Sequence, residues 1–325
     1  MRPGRIFAWL SLIAGVATVI GVAYSLGTSL SDASLVLAPA GHALALAAFM
    51  VHLAMRALRV VLVARGLGVD LTPITSTLAQ LAGDAAGAVT PSRIGCDPAK
   101  MLVLARAGVN VGAGAAIMMG EILVEVAVLV VVAGVVAFVL PAGGPAAAAA
   151  FTYAVAVVAT TSTAILIARA PDRLVPPPFW RCIGLSEEHW RQTRAAAAGF
   201  LTGARGLLKL PAGIVGALFA VTFMHMAARI AVLPLLLIDR ITFAEVPVLL
   251  AWPMLLLYAG ALVPAPGGGG AIELVFAAAL DDVLSPDHLV AALLWWRFYT
   301  YYLSALLGAI VLASAGTASR VARSA

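Results

Sequence analysis

Apolar residues run along this chain in blocks of about twenty, separated by short segments that hold most of its charge. A run of that length matches the roughly 20 residues a helix needs to cross about 30 Å of hydrocarbon. The pattern predicts full spans at 7–27, 36–55, 115–140, 146–168, 212–238 and 289–315. The first follows Arg2 and Arg5 and is too long for the apolar core of a signal peptide, so it reads as a retained span.

Two further segments, 73–106 and 246–280, are interrupted. The first carries Asp84, Pro91, Arg93, Gly95 and Asp97. The second is apolar to Val263 and then breaks at Pro264, Pro266, Gly267 and Gly268, ahead of a short helix from Ala271. Breaks at membrane depth are tolerated only where the backbone is buried in protein or lines a polar cavity. Lys and Arg mark cytoplasmic loops. Arg2 and Arg5, Arg56, Arg59 and Arg65, and seven Lys/Arg against three acids over 169–209 therefore face the cytoplasm, as do Arg320 and Arg323. Asp32, the uncharged loop 141–145, Asp239 to Glu245 and Asp281 to Asp287 face outward. Each interrupted segment must then start and end on one side, as a re-entrant hairpin.

Gly87-Ala-Val-Thr-Pro91 and Gly260-Ala-Leu-Val-Pro264 align at a constant separation. Both lie in the order span, hairpin, span, with opposite orientation. The expected fold class is an all-α integral membrane protein with about six full transmembrane helices, two re-entrant helical hairpins and an inverted repeat. Such repeats, with broken helices near the midplane, mark transporter folds. The chain reads as one polytopic domain over 1–325, divided into a first span and outer loop (1–35), repeat one (36–140), a connecting span and cytoplasmic loop (141–211) and repeat two (212–318). Within that loop, 185–210 suits a helix at headgroup level, with Trp190, Arg191, Arg194 and Phe200.

Composition agrees. Of the 325 residues 63% are hydrophobic and 11% charged, and mean hydropathy is +1.05. A soluble domain carries about 25% charged residues, so a water-facing surface is excluded. The net charge of +5 follows the loops and is no signal for nucleic acid. Cys96 and Cys182 are too few for a disulfide framework and read as free thiols.

Charges at membrane depth cost about 2.5–3.5 kcal/mol each on insertion scales, so each needs a reason. Glu121 and Glu125 share one helix face, as do His225 and Arg229. Arg297 sits amid Trp295, Trp296, Phe298, Tyr299, Tyr301 and Tyr302, a belt from which it could snorkel to the outer surface. Mutual pairing, Glu121 with Arg297 and Glu125 with Arg229, is one reading. The other is a polar cavity in which Arg93, Arg229 and Arg297 hold an anionic headgroup, with Glu121, Glu125, Glu273 and His225 completing the lining. Arginine suits that role because its planar fork binds phosphate in bidentate fashion. Gly267 to Gly270 could also offer free N–H groups to an anion, while Glu273 suits the first turn of its helix. No phosphate loop, HExxH, GxSxG or Cys/His metal spacing occurs, so neither a metal, a cofactor nor a catalytic residue is expected.

Thr90-Pro-Ser-Arg-Ile-Gly95, Arg106-Ala-Gly108, Gly120-Glu121, Val263-Pro-Ala-Pro-Gly-Gly-Gly-Gly-Ala-Ile-Glu273 and Arg297 resemble the flippase-like transmembrane domain of the lysylphosphatidylglycerol synthase family. Cys96 and Ile122 stand where that family's pattern has Glu and Arg. The resemblance implies movement of a lipid headgroup between leaflets by a standalone member without the synthase domain; such members include a branch associated with hopanoid biosynthesis. It implies a bacterial cytoplasmic membrane with both termini cytoplasmic. The implied partners are a phospholipid or other anionic lipid, lipid-biosynthesis enzymes and a second copy of the chain. The competing readings are a membrane-embedded lipid-modifying enzyme using Glu121, Glu125 and His225, and a scaffold for lipid-synthesis enzymes.

Overall fold

The computed structural model describes residues 36–139, 209–259 and 268–324, together with Ile20, Tyr24 and a few isolated positions between 155 and 191. The expected spans at 7–27 and 146–168, the headgroup-level helix at 185–210, Cys182 and the break residues Pro264, Pro266 and Gly267 lie outside the described residues. Among those described, every regular element is helical.

The first helix, α1, spans Pro39–Gly66 and opens on proline, whose missing N–H costs nothing at a helix start. It is followed by α2 (Pro73–Ala88), a 3₁₀ turn (Pro91–Arg93), α3 (Cys96–Arg106) and α4 (Val111–Val139). The second half holds α5 (Ala212–Leu236), α6 (Val246–Ala259), α7 (Ala271–Leu280), α8 (Pro286–Arg297), a π turn (Phe298–Tyr302) and α9 (Leu303–Ser324). Among the described residues three helices are long and apolar enough to cross a membrane, Pro39–Gly66, Val111–Val132 and Ala212–Leu236, and Val246–Tyr258 and Ala271–Leu280 are shorter and apolar.

The first interrupted segment is a helix–break–helix unit, and the described residues of the second are α6, a turn at Gly268 to Gly270 and α7. In the first, Thr72 Oγ1 accepts the Thr75 N–H at 3.1 Å and caps α2. The break puts Ser92 (φ 47°) and Arg93 (φ 58°) in the left-handed region, which L side chains rarely adopt. Two contacts hold that strained turn: Arg93 Nη2 donates to Asp84 Oδ1 at 3.0 Å, and the Gly95 N–H donates to Thr90 Oγ1 at 2.9 Å. Gly95 is required here, because a Cβ would lie 2.9 Å from the Ala86 carbonyl and from the Thr90 side chain. The Thr-Pro-Ser-Arg-Ile-Gly stretch is thus the covalent description of one strained turn.

The span expected at 36–55 is longer than its hydropathy suggests. It continues to Gly66 and takes in Arg56, Arg59 and Arg65, which the charge pattern places in a cytoplasmic loop. Arg59 is 2% exposed. Buried positions Ala45, Ala48, Phe49, His52, Leu53, Ala57, Val60, Val63 and Ala64 recur every three or four residues through that charged stretch, so one helix face carries the chain on.

Among the described helices α1 and α5 pack most extensively. They run antiparallel. A Cβ on Gly41 would meet the carbonyls of Leu235 and Leu236, and one on Gly66 would meet the Leu210 side chain. Midway, His52 and His225 face each other with ring centroids 5.1 Å apart. Corresponding helices also start at one spacing: α1 and α5, and α2 and α6, each begin 173 residues apart, the same separation as His52 and His225. The α2 helix also packs closely on α9, where a Cβ on Gly308 would fall 1.8 Å from the Leu81 carbonyl oxygen.

Candidate functional site

Among the described residues, the charges that are buried with their partners assemble in two separate places. The larger cluster is built where α1, α2, α3, α4 and α5 converge. Arg56 forms a bidentate pair with Asp84, Nη1 to Oδ2 at 2.7 Å and Nη2 to Oδ1 at 3.1 Å, and Nη2 also donates to Gln80 Oε1 at 2.8 Å. Arg93 completes the group on Asp84. Arg59 binds both acids of α4, Glu121 at 3.2 Å and Glu125 at 2.8 Å. Glu121 additionally accepts from Gln80 Nε2 and faces Lys100 Nζ at 3.3 Å. Each buried carboxylate therefore meets at least one cation and most meet two, the arrangement that low-dielectric burial of charge demands.

His225 closes the cluster from α5. Arg59 Nη1 donates to His225 Nε2 at 3.1 Å. That makes Nε2 the acceptor and, in the neutral ring, puts the proton on Nδ1, which stands 3.2 Å from His52 Nδ1. One turn on, Arg229 is different. Its Nη2 donates to the Thr300 carbonyl at 3.3 Å, its Nε is buried without a hydrogen-bond partner, and no carboxylate lies in ion-pair range of it among the described residues.

Next to these groups lies a cavity of about 360 Å³. Five cationic side chains line it, Arg56, Arg59, Arg93, Lys100 and Arg229, against the carboxylates of Asp97 and Glu125. Its other walls include Cys96, a free thiol, His225, Tyr258 and the apolar Ile122, Leu129 and Leu257. The Tyr258 hydroxyl is buried and has no hydrogen-bond partner. Among the described residues no cluster of His, Cys, Asp and Glu has the makings of a metal site.

The second place is the start of α7. Arg297 Nε lies 2.8 Å from Glu273 Oε1, with the two side chains 3% and 0% exposed. The guanidinium also stands 4.6 Å from the Tyr301 ring centroid and 5.7 Å from that of Tyr302. Arg297 is therefore buried in an ion pair and does not snorkel outward. The other oxygen, Glu273 Oε2, accepts the Gly270 N–H at 2.8 Å. That donor, which the glycine run could have offered to an anion, is taken by the helix's own first-turn carboxylate. Gly268 (φ 67°) and Gly270 (φ 85°) are there because the turn into α7 needs left-handed backbone.

Sequence expectation and geometry thus part in definite ways. Of the candidate residues, Arg93, Glu125, His225 and Arg229 share the cavity wall, and Glu121 sits directly behind it. Arg297 and Glu273 do not belong to that wall. The pairing of Glu121 with Arg297 and Glu125 with Arg229 gives way to Glu121 with Arg59 and Lys100, Glu125 with Arg59, and Arg297 with Glu273. The residues missed are His52, Arg56, Arg59, Gln80, Lys100 and Tyr258. A signal existed for two of them: His52 and Arg56 stand 173 residues before His225 and Arg229, the separation of Gly87 from Gly260.

The pattern of the lysylphosphatidylglycerol synthase TM region matches residues 7–308. The chain belongs to that family. With three helices among the described residues able to cross a bilayer, this family member is a membrane protein tied to lipid handling. No curated protein matches it in sequence.

Proposed function

We propose that the chain is a flippase-like lipid transporter that takes an anionic lipid headgroup into the cation-lined cavity. The observation that carries this reading is the charge balance of the cavity, five cationic side chains against two carboxylates on its wall, inside a protein of this family. Asp84 and Glu121 behind the wall offset part of the excess, and Arg229 stays without a carboxylate. A guanidinium in a low-dielectric wall is costly when unpaired and gains most from an anion that can accept its fork. The cavity is of the size of a polar headgroup rather than a whole lipid.

The break between α2 and α3, and the one that precedes α7, act in this reading as re-entrant hairpins entering from opposite faces and serving as opposed gates. The antiparallel packing of α1 on α5, and the common starts of corresponding helices, support an inverted repeat of six spans and two hairpins in one domain. Both termini lie in the cytoplasm and the membrane is the bacterial cytoplasmic one. Glu125 and Asp97 supply counter-charge for a cation or proton that travels with the headgroup.

The test is leaflet exchange in liposomes holding the purified full chain. The panel is labelled phosphatidylglycerol, phosphatidylethanolamine and phosphatidylcholine, in bilayers with and without hopanoid. Headgroup-selective exchange above empty liposomes is the expected result. No exchange across the panel, with or without a proton gradient, rejects transport. For the topology, single cysteines at positions in 87–95 and 264–270 should label from opposite sides of the membrane. Labelling from one side removes the inverted arrangement.

A further inference from the structure

The two halves place an arginine at the same position but treat it differently. Arg56 on α1 and Arg229 on α5 are one repeat spacing apart, four residues after His52 and His225, which touch midway along the antiparallel α1–α5 pair. In the first half, Arg56 is neutralised by Asp84, 28 residues on, through two hydrogen bonds. In the second half the position 28 residues after Arg229 is Leu257, on α6, the helix that starts one spacing after α2. Leu257 and Arg229 line the same cavity.

We infer that Leu257 sets the charge selectivity of the cavity: it stands where the first half has Asp84, and so leaves Arg229 to bind the phosphate of an anionic lipid. The inference rests on the proposed function and names the residue that selects the ligand and the ligand's class, a phosphodiester headgroup. The reasons are local. Nearly all of the cluster's cations are engaged by acids: Arg56 and Arg93 by Asp84, Arg59 by Glu121 and Glu125, Lys100 by Glu121. Among the described residues Arg229 alone of these cations meets no carboxylate: it holds a backbone carbonyl at 3.3 Å, and its Nε, like that of Arg59, is buried without a partner. Beside it, Tyr258 directs a second unsatisfied buried donor at the same space. A phosphate that accepts from the Arg229 fork and the Tyr258 hydroxyl satisfies both groups at once. An aspartate at 257 would satisfy Arg229 internally and remove its need for a ligand.

The deciding experiment installs the missing acid. Full-length protein with Leu257→Asp is compared with Leu257→Asn, which adds polarity without charge. Two readouts are taken on each: native mass spectrometry with phosphatidylglycerol or phosphatidylcholine added to the detergent-solubilised protein, and leaflet exchange of the same two labelled lipids. The expected result is that Leu257→Asp lowers the binding preference for phosphatidylglycerol over phosphatidylcholine by about ten-fold or more, the loss of one hydrogen bond to a charged group, while Leu257→Asn lowers it by clearly less. An unchanged preference in Leu257→Asp, or an equal loss in Leu257→Asn, overturns the inference. Arg229→Gln gives a second arm: it should erase the preference, and adding Leu257→Asp to it should change nothing more. If wild type binds phosphatidylglycerol selectively without exchanging it, transport fails while the binding comparison still decides the role of Leu257. If wild type shows no preference between the two lipids, the inference falls with the anionic reading of the site.

Discussion

His52 and His225 meet Nδ1 to Nδ1 at 3.2 Å, and they stand 173 residues apart, the separation at which α1 and α5, and α2 and α6, also begin. The pair stands midway along the antiparallel α1–α5 interface, and the charged cluster lies beside it. Two ion pairs tie neighbouring helices together: Lys100 of α3 pairs with Glu121 of α4, and Glu273 of α7 pairs with Arg297 of α8, with the charges exchanged. Four consequences can be measured.

The Glu273–Arg297 pair is buried on both sides, so removing one partner leaves an uncompensated charge. Glu273→Gln should lower unfolding stability in detergent by about 3–5 kcal/mol. The double variant Glu273→Leu/Arg297→Met should lose less than the two single variants together, giving a coupling of about 0.5–3 kcal/mol in a double-mutant cycle. Strictly additive losses would remove the pair's structural role.

Asp84 is the shared acceptor of Arg56 and Arg93 and the anchor of the strained turn at Ser92 and Arg93. Asp84→Asn should cost about 3–5 kcal/mol and loosen that turn, which limited proteolysis or hydrogen exchange over 89–95 would report. Unchanged protection of the turn would show that its backbone is held without the carboxylate.

Gly308 allows α9 to lie against the α2 backbone. Gly308→Val should destabilise by about 1–3 kcal/mol or more through overpacking, with the two helices forced apart. Gly216, on α5, has open space where a Cβ would be. Gly216→Ala should instead stabilise by about 0.5–1 kcal/mol, by cutting the freedom of the unfolded chain. Thermal unfolding of the two variants side by side separates close packing from backbone entropy.

Cys96 lines the cavity among the cationic side chains and serves as a native reporter once Cys182 is changed to Ser. The local excess of positive charge should make an anionic methanethiosulfonate react faster with Cys96 than a cationic one of similar size, by several-fold at low ionic strength, with the difference shrinking as salt rises. Equal rates would mean that the acids fully cancel the cations. Bound anionic lipid should narrow the same difference.

Much was fixed by the sequence alone. Runs of apolar residues require helices in lipid, because an unsatisfied backbone group there has no water to turn to. Prolines 39, 73 and 286 sit at helix starts, and the Pro91 break appears as a turn between two helices, for local reasons that need no partner. The family was legible in Thr90 to Gly95 and in Val263 to Glu273.

What the tertiary structure decided is which charge meets which. A run of arginines after an apolar block reads as a cytoplasmic loop by hydropathy, since Arg56 and Arg59 are costly in lipid. They stay on α1 because Asp84, Glu121 and Glu125 arrive from two other helices to offset that cost. Likewise Arg297 is withdrawn from the surface by a carboxylate 24 residues earlier in the chain and by two tyrosines. Ion pairs in lipid are set by helix packing, and the distances that choose between Arg59, Arg229 and Arg297 as the partner of a given glutamate exist only once the helices are in place.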